Sequence, residues 1–179
     1  MKIAKEKRNS NIVEYILYMF QVEDTIRAFK FNLQQIESHM ISPLNATDEV
    51  RKETLSWYSN LLLMMEKEQL HSSGHLQFLR NLIDDLNAFH IAVLSHEIDA
   101  NYQHTFRQAS IVLTELSAKS PVHLHDVELG FNALYGYMLL KLKRADISDE
   151  TTAAIKTISQ WMGNLASLFL EFERGNLEL

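Results

Sequence analysis

Residues 11–30 read NIVEYILYMFQVEDTIRAFK, and this stretch decides the fold. Projected as a helix, its apolar residues cover far more than one stripe. The core-facing positions recur three and four residues apart: Ile12, Tyr15, Met19, Val22, Ile26 and Phe29. A helix that is apolar nearly all round is typical of the buried centre of a bundle. We therefore predict that this first helix is enclosed by the others.

Three charged residues, Glu23, Asp24 and Arg27, fall inside this apolar arc rather than on its narrow polar face. Buried charges need partners and hydrogen bonds. Glu23 and Arg27 stand four residues apart in the order that favours an ion pair, and we predict that pair. The cluster is either a structural network that fixes helix register or part of a pocket. In the pocket, Glu23 would act as base or acid and Arg27 would clamp an anion.

The composition favours long helices with short connections. Of the 179 residues 46% are hydrophobic, but only five are glycine and two are proline, too few for a sandwich or barrel. The lack of cysteine excludes a disulfide framework, thiolate metal sites and a cysteine nucleophile. We predict one all-helical domain over residues 1–179. Its architecture is a bundle of about six helices with the first and fifth at the centre.

Apolar periodicity and cap residues place these helices approximately at residues 11–30, 47–69, 76–95, 100–119, 124–144 and 148–174. The first helix either continues to Ile41 or breaks near Asn32, where Gln35 follows as in a capping box. The fifth helix carries no charge between Glu128 and Lys141, which marks it as the second central helix.

The fifth helix also contains two glycines, Gly130 and Gly136. A glycine inside a helix costs about 1 kcal/mol relative to alanine, so each needs a reason. Either a neighbouring helix approaches closely, or the backbone is exposed to a ligand.

The candidate ligand site lies between the first, third and fifth predicted helices. Glu128, Asn132 and Tyr135 form a polar ridge on the fifth helix and are possible partners for Arg27. His90 lies on the apolar face of the third helix, where it is either a hydrogen-bonded core histidine or a group that orients the ligand. The residues predicted for this site are Glu23, Asp24, Arg27, His90, Glu128 and Tyr135.

The eight histidines do not form a metal motif. His71 and His75 are four residues apart, but the Ser-Ser-Gly between them breaks the helix that a metal pair would need. A second group of ligand-type residues matches no known metal spacing: His123, His125, Asp126 and Glu128. No phosphate-binding glycine loop or G-x-S-x-G is present. We predict no metal and no cofactor, name no catalytic residue, and favour a protein that is not an enzyme.

The net charge of -6 argues against a general nucleic-acid binder. The only basic cluster contains Lys2, Lys5, Lys7 and Arg8, and we interpret it as a solvated lead-in rather than a phosphate-contacting arm. No segment is apolar and uncharged over the ~20 residues that a membrane span needs. The start also lacks the apolar region of a signal peptide. We predict a cytoplasmic protein without membrane contact.

The preferred functional prediction is a non-enzymatic interaction or scaffold protein, with a homo-oligomer or another protein as partner. The predicted contact combines residues 61–65, which are apolar in every direction, with the flank of the sixth helix around Trp161 and Leu168. The alternative is the ligand-binding or catalytic pocket built on Glu23 and Arg27.

Four segments resemble an uncharacterised all-helical family of Bacteroidales-type gut bacteria, a domain of unknown function. They are IAKEKRNSNIVEYILYMFQVEDTIRAF from residue 3, GHLQ from residue 74, ALYGYMLLKLKRADIS from residue 133 and TTAAIKTISQW from residue 151. The resemblance covers nearly the whole chain. It implies an all-helical, cytoplasmic, single-domain protein, and it transfers no catalytic residues.

Overall fold

The structure, a computed structural model, describes residues 2–179. Within them the chain forms eight α-helices and one π-helical turn. Their bounds are α1 Lys2–Ser10, α2 Ile12–Ala28, α3 Leu33–Ile36 with the π-helical turn Glu37–Ile41, α4 Asp48–Lys67, α5 Gln77–Ser95, α6 Ala100–Lys119, α7 Asp126–Leu142 and α8 Asp149–Glu173. The predicted all-α class is confirmed. The predicted count of six is wrong, because the basic lead-in forms α1 and the chain restarts as α3 after α2.

The N-terminal basic cluster forms ion pairs within the molecule. Arg8 donates two hydrogen bonds, of 2.9 and 2.6 Å, to the carboxylate of Glu173 at the end of α8. Lys7 Nζ lies 2.7 Å from Glu14 in α2. A paired Arg–carboxylate contact of this kind has defined geometry as well as charge. It holds α1 against the last turn of α8.

The chain breaks after α2, which decides between the two alternatives for this region. Lys30 and Phe31 adopt left-handed backbone conformations with φ of 50° and 59°. Such conformations are disfavoured for residues with a Cβ atom and cannot continue a helix. Asn32 then caps α3, and its side chain accepts the Gln35 N–H at 3.0 Å.

The core is centred on α2 and α8. Ile16, Phe20 and Ile26 of α2 are almost completely buried, which confirms the predicted enclosure of this helix. The α8 helix packs against α2, α5, α6 and α7, and its Trp161 has no exposed surface. Trp161 therefore cannot touch another molecule, so the prediction that the contact includes Trp161 is wrong.

The α7 helix is central only in its N-terminal half. Its buried residues are confined to the first two turns: Val127, Leu129, Gly130 and Phe131. In its last turn Leu140 is 42% exposed and Leu142 is 70% exposed. The prediction that the uncharged stretch of this helix lies at the centre of the bundle is therefore wrong for its C-terminal half. An apolar run without charges does not by itself determine which turns of a helix are covered by other helices.

The two glycines of α7 have different surroundings, so replacing each with alanine should change the stability of the protein in opposite directions. A Cβ atom at Gly130 would lie 3.0 Å from Met162 Sδ and 3.1 Å from a ring carbon of Trp161, whereas at Gly136 it would meet no atom within 4 Å. Gly136→Ala should therefore stabilise the protein by about 1 kcal/mol through helix propensity. In Gly130→Ala this gain is offset by overpacking, which costs about 1–3 kcal/mol.

Urea unfolding of the two variants measures this difference. We expect Gly136→Ala to be more stable than the parent and Gly130→Ala to be less stable than Gly136→Ala. Equal stabilities of the two variants would show that α7 and α8 are not in close contact at Gly130.

Candidate functional site

Glu23 is a buried carboxylate, with 1% of its surface exposed. It points from α2 at the N-terminus of α5, where the N–H of Leu76 donates to Oε1 at 2.8 Å. The Nδ1 atom of His75 lies 2.6 Å from Oε2. The N-terminal end of a helix has N–H groups without intrahelical acceptors and a partial positive charge, so it stabilises an anion. Glu68 caps the next residue by accepting the Gln77 N–H at 2.7 Å.

His75 is held in a fixed orientation at the start of α5. Its ring stacks on Phe20, with 3.6 Å between the ring centroids and 18° between the ring planes. Its Nδ1 atom faces Glu23, and its Nε2 atom forms no hydrogen bond to another side chain or backbone group within residues 2–179. The His75 side chain is 29% exposed. The buried carboxylate and the aromatic ring therefore fix an imidazole that keeps one nitrogen free.

The predicted ion pair between Glu23 and Arg27 is wrong. Arg27 instead pairs with Asp24, at 2.8 Å between Nη1 and Oδ1, and donates to the backbone oxygens of Leu70, at 3.1 Å, and Gly74. The loop that leads from α4 to α5 provides these acceptors, and it also places His75 in front of Glu23. Arg27 acts as a clamp on this loop rather than as a partner of Glu23.

Tyr135 joins the same cluster from α7. Its hydroxyl donates to Asp24 Oδ2 at 2.5 Å. Burial, together with this hydrogen bond and the charge of Asp24, raises the pKa of Tyr135. The structure thus brings Asp24, Arg27 and Tyr135 together as one hydrogen-bonded group that connects α2 to α7. This group lies next to the Glu23–His75 pair without sharing a hydrogen bond with it.

A cavity of about 330 Å³ adjoins His75. It lies between α2, α5, α7 and the loop before α5. Its lining includes Glu128 but neither Arg27 nor Tyr135: Phe20, Leu70, Gly74, His75, Gln77, Arg80, Ile83, Asp84, Glu128, Phe131 and Asn132. Of the predicted site residues, Glu128 lies in the wall, Glu23 stands behind His75, and Asp24, Arg27 and Tyr135 secure the adjoining loop and helix.

His90 does not belong to this cavity. It lies 2% exposed on the opposite part of α5, where its Nδ1 atom is 2.6 Å from the hydroxyl of Tyr102. Burial lowers the pKa of His90 to about 4, and the nearby charge of His125 contributes in the same direction. The prediction that His90 and Glu23 share one site is therefore wrong. The periodicity of α5 places His90 towards the core but does not show which other helix it faces.

The family model described as Domain of unknown function (DUF4924) matches residues 1–176. The chain belongs to this family. Comparison of this DUF4924 chain with curated proteins and with solved structures finds no match. The family assignment confirms the predicted membership of an uncharacterised family and attaches no activity to the cavity.

Sequence reasoning did not identify His75 as a site residue of the DUF4924 chain. The available signal was the Ser-Ser-Gly sequence before His75, which predicts a loop and thus a histidine free to turn towards the core. The same sequence also argues against a helical metal pair with His71. His71 instead packs against Phe31, with 4.7 Å between ring centroids.

Within residues 2–179 of the DUF4924 chain, no three or more His, Asp or Glu side chains are grouped as metal ligands. Within the same range, every helix is too short or too polar to cross a membrane.

Proposed function

We propose that this protein binds a small polar molecule in the cavity between α2, α5 and α7, and that His75 recognises it. One observation carries the proposal: His75 lines the cavity with Nε2 unpaired, while buried Glu23 holds Nδ1 from behind. A histidine whose second nitrogen is fixed by a carboxylate is the arrangement that binding and catalytic sites use to orient an imidazole.

The size and walls of the cavity support this proposal. Its volume of about 330 Å³ lies at the lower end of the range of roughly 300–1,000 Å³ found for small-molecule sites. Phe20 and Phe131 provide apolar surface, while Arg80 and Glu128 provide opposite charges. Such a mixture of apolar walls and a few polar groups suits a compact ligand that has both a flat surface and polar atoms.

The protonation of His75 determines what the ligand must offer. With Glu23 ionised, the hydrogen bond between them places the imidazole proton on Nδ1. Nε2 then has a free lone pair and accepts an N–H or O–H group of the ligand. If the ligand brings an acidic proton, the same lone pair takes it up, and Glu23 stabilises the imidazolium that forms. The proposal assigns binding to this pair and assigns no reaction.

A fragment screen by ligand-observed NMR tests the proposal. Polar heteroaromatic fragments that bind the parent should lose at least about tenfold in affinity in His75→Ala, the cost of one hydrogen bond in a desolvated site. His71→Ala is the matched control, since His71 precedes His75 by four residues and does not line the cavity. Fragments that bind both variants and the parent equally would contradict the proposal.

A second candidate function, the predicted protein contact, has support from α4. Leu63 is 51% exposed and Met64 is 37% exposed, and Val50 on the same helix is 43% exposed. Met64 and Val50 are fourteen residues apart, or about four helical turns, and therefore share a face. The other three residues of the predicted segment 61–65 are buried. We propose that the exposed face of α4 forms a homodimer.

Analytical ultracentrifugation tests the homodimer. We expect a mass of twice 20.8 kDa for the parent and a monomer for the double variant Leu63→Glu with Met64→Glu. Both residues are on the surface, so the stability of the variant should change by less than about 0.5 kcal/mol apart from the loss of the dimer. A parent protein that is monomeric at every concentration would exclude this candidate.

We further propose that residues 1–179 form one domain. The buried residues of α2 and α4 to α8 join one hydrophobic cluster, which supports this proposal. We also propose a cytoplasmic location and a bacterial source. The lack of cysteine is compatible with the cytoplasmic location. The scaffold function requires a partner, which is either a second copy of this chain or another protein.

A further inference from the structure

A second cavity, of about 560 Å³, lies further along the same face of α5, towards the C-terminal end of the helix. It is bounded by the C-terminal half of α5, by Phe106 of α6 and by the residues around the start of α7. Ile91, Leu94, Phe106 and Leu124 give it apolar walls, and His90 and Asp126 lie among them.

The hydrogen bonds behind His90 determine which of its nitrogens carries the proton. Trp161 Nε1 can only donate, and it donates to the hydroxyl of Tyr102 at 3.0 Å. The Tyr102 hydroxyl proton then has one acceptor within residues 2–179, which is Nδ1 of His90 at 2.6 Å. Burial raises the pKa of Tyr102, so the phenol keeps this proton. His90 therefore accepts at Nδ1 and carries its own proton on Nε2.

The Nε2–H group of His90 has no partner in the part of the chain that the structure describes. The Oδ2 atom of Asp126 lies 4.0 Å from Nε2, and a hydrogen bond requires about 2.7–3.2 Å. His90 itself is 2% exposed, so the donor meets solvent only through the cavity. Arg51 Nε is the one side-chain nitrogen or oxygen among residues 2–179 that is buried without a partner, so Nε2–H of His90 faces the open space of the cavity. A ligand atom that accepts from this group takes the place of water.

The 4.0 Å gap between donor and carboxylate fits a single bridging oxygen. An oxygen about 2.8 Å from both atoms accepts from His90 Nε2–H and donates its own proton to Asp126. A hydroxyl group meets both requirements. A carboxylate has no proton to donate to Asp126, and a protonated amine has no lone pair to accept from the His90 N–H group, so the bridging group is neutral.

We propose that this cavity binds a neutral ligand with a hydroxyl group on a compact apolar body, the hydroxyl bridging His90 and Asp126. The apolar walls receive the body of an aryl or alkyl alcohol. This site is separate from the His75 cavity and does not depend on the function proposed for it.

Titration with benzyl alcohol, monitored by NMR, tests the proposal on the full chain. We expect saturable binding with shifts at the ring nitrogens of His90, the side chain of Phe106 and the indole N–H of Trp161. Toluene, which lacks the hydroxyl group, and benzoate, which replaces it with a negative charge, should each bind at least tenfold more weakly.

Two variants provide the comparison. Asp126→Ala removes the acceptor and should weaken benzyl alcohol at least tenfold. Asp149→Ala is the matched control, because Asp149 is the first residue of α8 as Asp126 is the first residue of α7, and it should change the affinity by less than twofold. Equal binding of toluene and benzyl alcohol, an unchanged affinity in Asp126→Ala, or shifts that grow linearly without saturating would each overturn the proposal.

Discussion

Replacing Glu23 with leucine is expected to lower the free energy of unfolding by about 3–5 kcal/mol, although leucine fills a similar volume. The change leaves two donors without an acceptor: the N–H of Leu76, which is buried, and the Nδ1–H of His75. It also removes the negative charge that faces the N-terminus of α5. Chemical denaturation in urea at neutral pH measures the loss.

Three control variants distinguish the loss of the buried Glu23 acceptor from the loss of a charge as such. Glu23→Gln keeps an acceptor for Leu76 and should cost about half as much. Glu14→Gln removes an exposed carboxylate from the same helix and should cost less than about 1 kcal/mol. Arg27→Met removes the clamp on the loop but keeps the carboxylate that accepts from Leu76 and faces His75, so it should cost less than Glu23→Leu. A larger loss in Arg27→Met than in Glu23→Leu would contradict the observed pairing.

The stability of the protein should fall as the pH decreases from about 6.5 to about 4, and His90 should account for about 3 kcal/mol of this fall. Burial lowers the pKa of His90 from 6.5 to about 4. In this interval the unfolded chain binds a proton at His90 that the folded protein excludes, so stability rises with pH. The contribution of neutral His90 is complete above pH 6.5 and is lost as the pH falls through 4.

Urea unfolding at several pH values, compared with His90→Phe, isolates this contribution. At pH 6.5 the His90→Phe variant should be less stable than the parent, because the Tyr102 hydroxyl loses its acceptor. Between pH 6.5 and 4, however, the stability of the variant should change less than that of the parent. Asp126, whose pKa is raised by burial, faces the same space and acts in the opposite direction. His125 also lies nearby and remains in both proteins. Parallel pH profiles for the two proteins would show that His90 is not buried in its neutral form.

Local sequence patterns predicted the long helices of this fold. Thr47 and Ser148, the first residues of the second and sixth predicted helices, cap α4 and α8, and each side chain accepts the backbone N–H of the third residue after it. Gly175 ends α8 in a left-handed conformation, with φ of 73°. These features depend on neighbours in the sequence, which is why they can be recognised there. The α1 helix was missed because it is polar and buries only Ala4.

The candidate site could be predicted only in part, because its pairing depends on the path of a loop. Helical periodicity correctly placed Glu23 inside the core. The i, i+4 spacing wrongly indicated Arg27 as the partner of Glu23, because this rule relates only residues on the same helix. The true partners, His75 and Leu76, are about fifty residues away and reach Glu23 only after the chain turns at Gly74, which has φ of 90°.

The most direct test of the account is the tautomer of His75, measured by long-range nitrogen–proton NMR on the histidine rings of the intact protein. With Glu23 as its partner, neutral His75 should carry its proton on Nδ1 and leave Nε2 unprotonated, and Glu23→Leu should abolish this preference. A proton on Nε2 in the parent, or a tautomer that Glu23→Leu does not change, would show that Glu23 does not orient the imidazole towards the cavity.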